Sequence, residues 1–176
     1  PFPAAEYQVR LEKVRQAMTE QGLDALLLTD PADINYLTGY HTFEVSVHAG
    51  LVCTQEKLVL QVASIETGAA VVTARADEII GYRWENLGEI ITPLADLLTP
   101  CQHIGIDGWS SGLRFGVIDA LMQAIGRERF SEAGALVDAI RIVKSPAELE
   151  MLQESARITA LGLETAIQSI RSGMTD

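Results

Sequence analysis

The spacing of apolar residues predicts a helix followed by a buried strand at the start of the chain. Four apolar side chains recur three or four residues apart, as along one face of a helix, and Gly22 follows them as the predicted C-terminal cap. The short apolar run over 25–29 then predicts a buried strand, and the Asp-Pro-Ala-Asp segment over 30–33 favours a turn. The helical stripe consists of Tyr7, Leu11, Val14 and Met18.

The middle of the chain continues this alternation of helices and strands. A β-hairpin is predicted over 51–60, and a helix over 86–98 contains Pro93, which predicts either a kink or the start of a second short helix. A further helix is predicted over 113–125. Strands that alternate with helices indicate an α/β fold, with a mixed β-sheet flanked by helices. The remaining predicted elements are a helix over 64–75 and strands over 78–84 and 104–107. The apolar stripe of the helix over 113–125 consists of Phe115, Ile118, Leu121, Met122 and Ile125.

One long amphipathic helix is predicted at the C-terminal end. Ser145 and Glu148 are spaced as a capping box, with Pro146 at the first helical position, and the apolar pattern continues to about Arg171. At 1.5 Å per residue such a helix is about 39 Å long. Its broad apolar face requires a partner surface, which little of the remaining sequence could supply. The face consists of Leu149, Leu152, Ala156, Thr159, Leu163, Ala166, Ile167 and Ile170.

Composition and charge narrow the classes of partner. The chain has 176 residues, of which 48% are hydrophobic and 21% charged, as in a globular domain. A formal net charge of −11 argues against binding to nucleic acid or to an anionic membrane surface. The chain lacks both an apolar run of about 18 residues and the pattern of a signal peptide, so a cytoplasmic location is expected. Cys53 and Cys101 are expected to remain thiols there.

A G-x-S-x-G motif at residues 108–112 invites comparison with a catalytic serine. The motif lies between a predicted strand and a predicted helix, as a nucleophile elbow does. In that arrangement the histidine base follows the serine, whereas His41, His48 and His103 all precede Ser110. We therefore interpret the motif as a turn whose serine caps the next helix.

His41, Glu44 and His48 are spaced by three and four residues, so on a helix they would share one face and could bind a metal. The intervening segment 42–47 is rich in β-branched residues in alternation, which favours an extended chain. In an extended chain His41 lies on the opposite side from the other two residues. A polar loop near a substrate mouth and a solvated loop remain the alternatives, and no phosphate-binding loop accompanies them.

Several segments together resemble a known family. They are Gly-Leu-Asp-Ala-Leu-Leu over 22–27, Asp-Ile-Asn-Tyr-Leu-Thr-Gly-Tyr over 33–40, Ile-Gly-Ile-Asp over 104–107 and Arg-Ile-Val-Lys-Ser-Pro-Ala-Glu over 141–148. Their order and spacing resemble the N-terminal domain of the creatinase/prolidase family, which includes Xaa-Pro dipeptidases and aminopeptidase P.

The resemblance implies how the chain is divided. Residues 1–144 would be a creatinase/prolidase N-terminal domain, and residues 145–176 would be the first helix of a truncated pita-bread catalytic domain. In the family, that catalytic domain holds two divalent metals, often manganese or cobalt, through two Asp, one His and two Glu. None of those positions matches a residue of this chain, so the chain alone is expected to be inactive and to bind no cofactor.

The resemblance also implies a role for the loop after Thr38-Gly39. In family dimers a loop of this domain reaches the neighbouring active site, and the matching residues here are Tyr40, His41, Phe43 and His48. The expected function is that of a non-catalytic domain of an Xaa-Pro dipeptidase or aminopeptidase, which supports homodimerisation and shapes the mouth for a peptide substrate. The alternatives are the same domain of a creatinase-like or ectoine-derivative hydrolase, and a peptide- or protein-binding module of a metal-free member.

Overall fold

The computed structural model describes residues 2–42, 44, 46–83 and 85–175. The chain divides into two units, Pro1–Ile140 and Arg141–Asp176. Two short 3-10 helices cover Ser64–Glu66 and Arg127–Arg129. The helices and strands, in chain order, are α1 (Ala4–Glu20), β1 (Ala25–Leu28), α2 (Pro31–Thr38), β2 (Gly50–Thr54), β3 (Leu58–Ala63), α3 (Thr67–Thr73), β4 (Glu78–Tyr82), α4 (Gly88–Leu98), β5 (Ile104–Ile106), α5 (Phe115–Ile125), β6 (Phe130–Glu132), α6 (Ala135–Ile142) and α7 (Pro146–Ser169).

The strands in the described part of the chain form one six-stranded sheet in the order β4-β3-β2-β1-β5-β6. Strand β2 pairs antiparallel with β1 and β3, and the other neighbouring strands pair in parallel. The carboxyl ends of β1, β3, β4, β5 and β6 therefore lie along one edge of the sheet, where β2 begins. This topology confirms the predicted α/β class, the mixed sheet and the β-hairpin.

Both faces of the sheet are covered by helices. Alternate residues of β1 enter two hydrophobic cores, because successive side chains of a strand point to opposite faces. Leu26 and Leu28 pack with residues of α1, α2, α3 and α6, whereas Ala25 and Leu27 pack with residues of α4 and α5. Burial on both faces explains why β1 is apolar throughout instead of alternating.

Helix α1 ends as the sequence predicts. Gly22 adopts a left-handed φ of 68°, which glycine tolerates without a steric penalty. Its N–H bonds Thr19 O at 3.1 Å, and the N–H of Leu23 bonds Met18 O at 2.8 Å. These two bonds form a Schellman cap, which satisfies carbonyls that would otherwise lack partners.

The predicted turn over 30–33 is wrong, because a helix begins there. The Asp30 side chain accepts a hydrogen bond of 2.8 Å from the N–H of Ala32, and Pro31 is the first residue of α2. Aspartate followed by proline suits a helix start as well as a turn, since proline needs no hydrogen-bond partner in the first helical turn. The segment after α2 was predicted to be extended over 42–47, but its described residues form neither a helix nor a strand.

Helix α4 is one helix with Pro93 inside it. A proline within a helix leaves the carbonyl four residues before it, here Glu89 O, without its usual donor. The buried side chain of Gln61, in β3, supplies a replacement: its Nε2 donates to Ile90 O at 3.0 Å and to Glu89 O at 3.5 Å. A side chain of the sheet thus stabilises the interrupted turn.

Helix α5 begins at Phe115, later than predicted. The prediction that Phe115 belongs to the buried stripe is wrong, because its side chain is 79% exposed. Ile118, Leu121 and Ile125 are buried as expected. The following elements β6 and α6 were not predicted, since β6 has only three residues and carries no apolar alternation.

The C-terminal unit contains α7, and its start confirms the predicted capping box. Ser145 Oγ accepts a bond of 3.1 Å from Glu148 N, and Glu148 Oε2 accepts one of 2.7 Å from Ser145 N. None of the residues of α7 is buried. Across the residues that the structure describes, no helix combines the length and apolar character required to cross a bilayer.

Candidate functional site

Loops from several elements meet at the carboxyl edge of the sheet. In open α/β sheets, ligands bind in crevices outside the carboxyl ends of the strands. Residues 39–49 cross this edge between α2 and β2, and residues 107–114 leave it between β5 and α5. We call residues 39–49 the edge loop. It contains the four residues that the sequence singles out, Tyr40, His41, Phe43 and His48.

The first end of the edge loop is held by a buried carboxylate. Glu66 lies in the 3-10 helix that follows β3 and is 3% exposed. Its carboxylate accepts a hydrogen bond from the hydroxyl of Tyr40 and another, of 2.7 Å, from Thr42 Oγ1. Burial and the bond to Glu66 together raise the pKa of Tyr40. Two hydroxyl donors offset the cost of burying the carboxylate, so this attachment is well defined.

The other end of the edge loop is held by Tyr82, the last residue of β4. Its hydroxyl donates a hydrogen bond of 2.6 Å to the backbone carbonyl of His48. Tyr82 is 2% exposed, and burial raises its pKa to about 12. The phenol is therefore a permanent donor at neutral pH.

The His48 side chain is buried without a hydrogen bond. It is 4% exposed, and neither ring nitrogen has a partner among the described residues. Burial lowers the pKa of His48 to about 4; the nearby Gln61 side chain opposes this shift in part, and the charge of Arg114 adds to it. Gln61 Oε1 also has no hydrogen-bond partner among the described residues. The imidazole is consequently neutral at physiological pH.

Two of the described residues in the middle of the edge loop are exposed. His41 and Ser46 are exposed, and Glu44 Oε1 accepts a bond of 2.9 Å from the N–H of Ser46. Phe43, the remaining residue predicted for the substrate mouth, lies outside the described residues. Of the other three, His41 presents its side chain to solvent, whereas Tyr40 and His48 are buried and can influence a mouth only through the position of the loop.

The G-x-S-x-G motif lies in turns, as interpreted, but the prediction that Ser110 caps helix α5 is wrong. The residue that precedes α5 is Arg114, and no side chain caps the helix there. The Ser110 hydroxyl instead shares a hydrogen bond of 3.0 Å with Thr29 Oγ1 and accepts one of 3.2 Å from Gly112 N. Through these bonds the motif joins two loops of the carboxyl edge.

Glu66, Tyr82 and Gln61 were missed by reasoning from the sequence. Glu66 and Tyr82 lie on a predicted helix and a predicted strand, and Gln61 directly follows the predicted hairpin. Each makes its contact with a loop residue or a helix far away along the chain. Tyr82, for example, is separated from His48 by 34 positions. Local spacing carries no signal for such pairs.

The described residues offer no group of three or more His, Cys, Asp or Glu side chains that could hold a metal. The donor set of a two-metal hydrolase is therefore not assembled from the described part of this chain.

Comparison with known proteins identifies the family. The sequence model of the Creatinase/Prolidase N-terminal domain matches residues 10–143. This chain belongs to that family.

Its relatives include hydrolases and peptidases. The chain is 29% identical over 185 residues to an uncharacterized hydrolase/peptidase of Sinorhizobium fredii, covering 98% of this chain and 47% of the relative. It is 28% identical over 182 residues to the ectoine hydrolase of Halomonas elongata, covering 97% and 45%. The chain thus spans about half the length of these curated relatives.

The fold is shared with solved structures of the same class. The Xaa-Pro dipeptidase from Bacillus anthracis superposes with a TM-score of 0.76 at 21% sequence identity, over 96% of this chain and 45% of that one. The mixed sheet with its flanking helices and long C-terminal helix is thus the prolidase N-terminal domain fold.

Proposed function

We propose that this chain is the non-catalytic N-terminal part of a metal-dependent hydrolase that cleaves Xaa-Pro peptides. The match of residues 10–143 to the family carries the proposal, since relatives of that architecture are named as hydrolases and peptidases. The domain would support a homodimer and present the edge loop at the mouth of the active site. The whole protein would act in the cytoplasm.

The hydrolytic centre would lie in a catalytic domain beyond these residues. Two divalent metals, manganese or cobalt, would supply a bound hydroxide and polarise the scissile carbonyl there. Residues of this chain would hold no metal and would act on the substrate by shape. Among the described residues of the edge loop, His41 and Ser46 are exposed and available for that contact.

The test compares the complete gene product with residues 1–176 alone. We expect the complete protein to hydrolyse a Gly-Pro dipeptide with added manganese, to lose activity with a chelator, and to behave as a dimer in light scattering. The isolated chain should show no turnover under the same conditions. Metal-dependent cleavage by the isolated chain, or a complete protein that hydrolyses no Xaa-Pro substrate, would contradict the proposal.

A second candidate is a hydrolase of a small substrate that is not a peptide. It is favoured by the 28% identity to an ectoine hydrolase, which nearly equals the identity to the hydrolase/peptidase. Turnover of the complete protein on ectoine, creatine and Xaa-Pro dipeptides in parallel separates the two candidates. A complete sequence without the two Asp, one His and two Glu of the family would instead favour a binding module.

A further inference from the structure

We propose that Tyr82 and Glu66, two residues outside the edge loop, are positioning residues that fix this loop from both ends for substrate binding. The inference rests on the proposed function, because it assigns the loop to the substrate mouth. It goes further by naming which distant side chains set the geometry of that mouth.

Both attachments lead to the same structural unit. Glu66 is the last residue of the 3-10 helix that follows β3, and Tyr82 is the last residue of β4. These two strands pair in parallel over five residues, from Val59 with Glu78 to Ala63 with Tyr82, and α3 connects them. A loop that links α2 to β2 is thus held by a third element, the β3-α3-β4 unit, and its position depends on that unit as well as on its own flanks.

The attachments to the β3-α3-β4 unit lie at the ends of the loop. Tyr40, Thr42 and the carbonyl of His48 are bonded to that unit. Between them, His41 and Ser46 are exposed, and Glu44 Oε1 accepts a bond from Ser46 N in the same loop. Such an arrangement fixes the position of His41 and Ser46 while leaving them exposed to a ligand, which lowers the entropy lost on binding.

Removing a hydroxyl at either end should loosen the loop without unfolding the domain. The ring of Tyr82 packs in the hydrophobic core that also contains residues of α4 and α5, and phenylalanine would keep that packing. The carbonyl of His48 would then lose its partner in a buried site, which favours a shifted loop that reaches water. The same reasoning applies to Tyr40 and the carboxylate of Glu66.

The experiment uses the complete protein with Tyr82→Phe and Tyr40→Phe, one variant for each end. Met18→Leu is the control for a conservative change in the buried core, since Met18 is buried in the last turn of α1, which leads to the start of β1 and lies opposite the carboxyl edge. We expect KM for a Gly-Pro dipeptide to rise about three- to tenfold in each end variant, with kcat within about twofold, and Met18→Leu to remain at the parent values. An unchanged KM in both end variants, a fall in kcat alone, or an equal effect in the control would overturn the proposal.

A second measurement does not depend on enzymatic activity. Amide hydrogen exchange of Glu44, Ser46 and Val47, whose N–H groups are bonded within the edge loop, should accelerate about three- to tenfold in Tyr82→Phe. If the complete protein cleaves no Xaa-Pro peptide but exchange accelerates, the hydrolase proposal fails while the anchoring stands. If exchange is unchanged, the anchoring fails whatever the activity.

Discussion

His48 is a buried imidazole whose protonation opposes folding. Its pKa is lowered to about 4 from an ordinary value of 6.5, so the unfolded chain binds the proton more readily than the folded one. The stabilisation that comes from keeping this ring neutral is complete above pH 6.5 and is lost as the pH falls towards 4. As the pH falls from 7 to 4.5, preferential proton binding at His48 in the unfolded chain should lower the free energy of unfolding by roughly 2–3 kcal/mol.

Urea denaturation of residues 1–176 at both pH values measures this difference. In His48→Leu the loss of unfolding free energy between pH 7 and pH 4.5 should be smaller than in the parent chain by that amount. His41 lies in the same loop but is exposed, so His41→Gln should retain the parent dependence. Equal pH dependences in His48→Leu and the parent would show that the burial of His48 does not control acid stability.

At the scale of elements, the connection between β5 and α5 is fixed by a close backbone approach. A Cβ atom at Gly112 would lie 1.8 Å from Thr29 O, which is a backbone atom and cannot rotate away. Gly112→Ala should therefore destabilise the domain by about 3 kcal/mol, since the two loops must separate and the bond between Ser110 and Thr29 would break. Thermal and urea denaturation of residues 1–176 measure the change.

Gly116, four residues further on, is the matched control. It lies inside α5, and a Cβ there would meet no atom within 4 Å. Gly116→Ala should leave stability unchanged or raise it by up to about 1 kcal/mol, because alanine has the higher helix propensity. If the two alanine variants were equally stable, the close approach at Gly112 would not constrain the fold.

The elements also show what the sequence could predict. Helices α1, α4 and α7 follow from apolar spacing, since each is long enough to display a period, and strands β1 to β5 follow from short apolar runs. Helix α2 was missed because Asp30-Pro31 suits both a turn and a helix start, and only the packing of Ile34 and Leu37 decides between them. The edge loop was located through family resemblance, but its attachment to Glu66 and Tyr82 depends on strand pairing that no local pattern encodes.

At the scale of the whole molecule, the C-terminal unit presents an apolar helix surface. Helix α7 buries none of its residues, and the apolar stripe includes Leu152, which is 52% exposed, and Leu163, which is 61% exposed. Single helices without a packed face are marginal in water. In the complete protein we propose that the catalytic domain covers this stripe.

Residues 1–176 on their own should therefore self-associate through α7 more strongly than residues 1–144 do. Leu152→Glu together with Leu163→Glu should shift the dissociation constant for this association upward by at least about tenfold, because charges would replace the centre of the stripe. Ile158 is also exposed, at 57%, but lies about 130° around the helix from the centre of the stripe, so Ile158→Glu is the control that should change little. Sedimentation equilibrium gives the constants. If the double variant and Ile158→Glu weakened the association equally, the association would depend on the overall apolar character of α7. If only the double variant weakened it, the stripe would be the surface that a catalytic domain would have to cover.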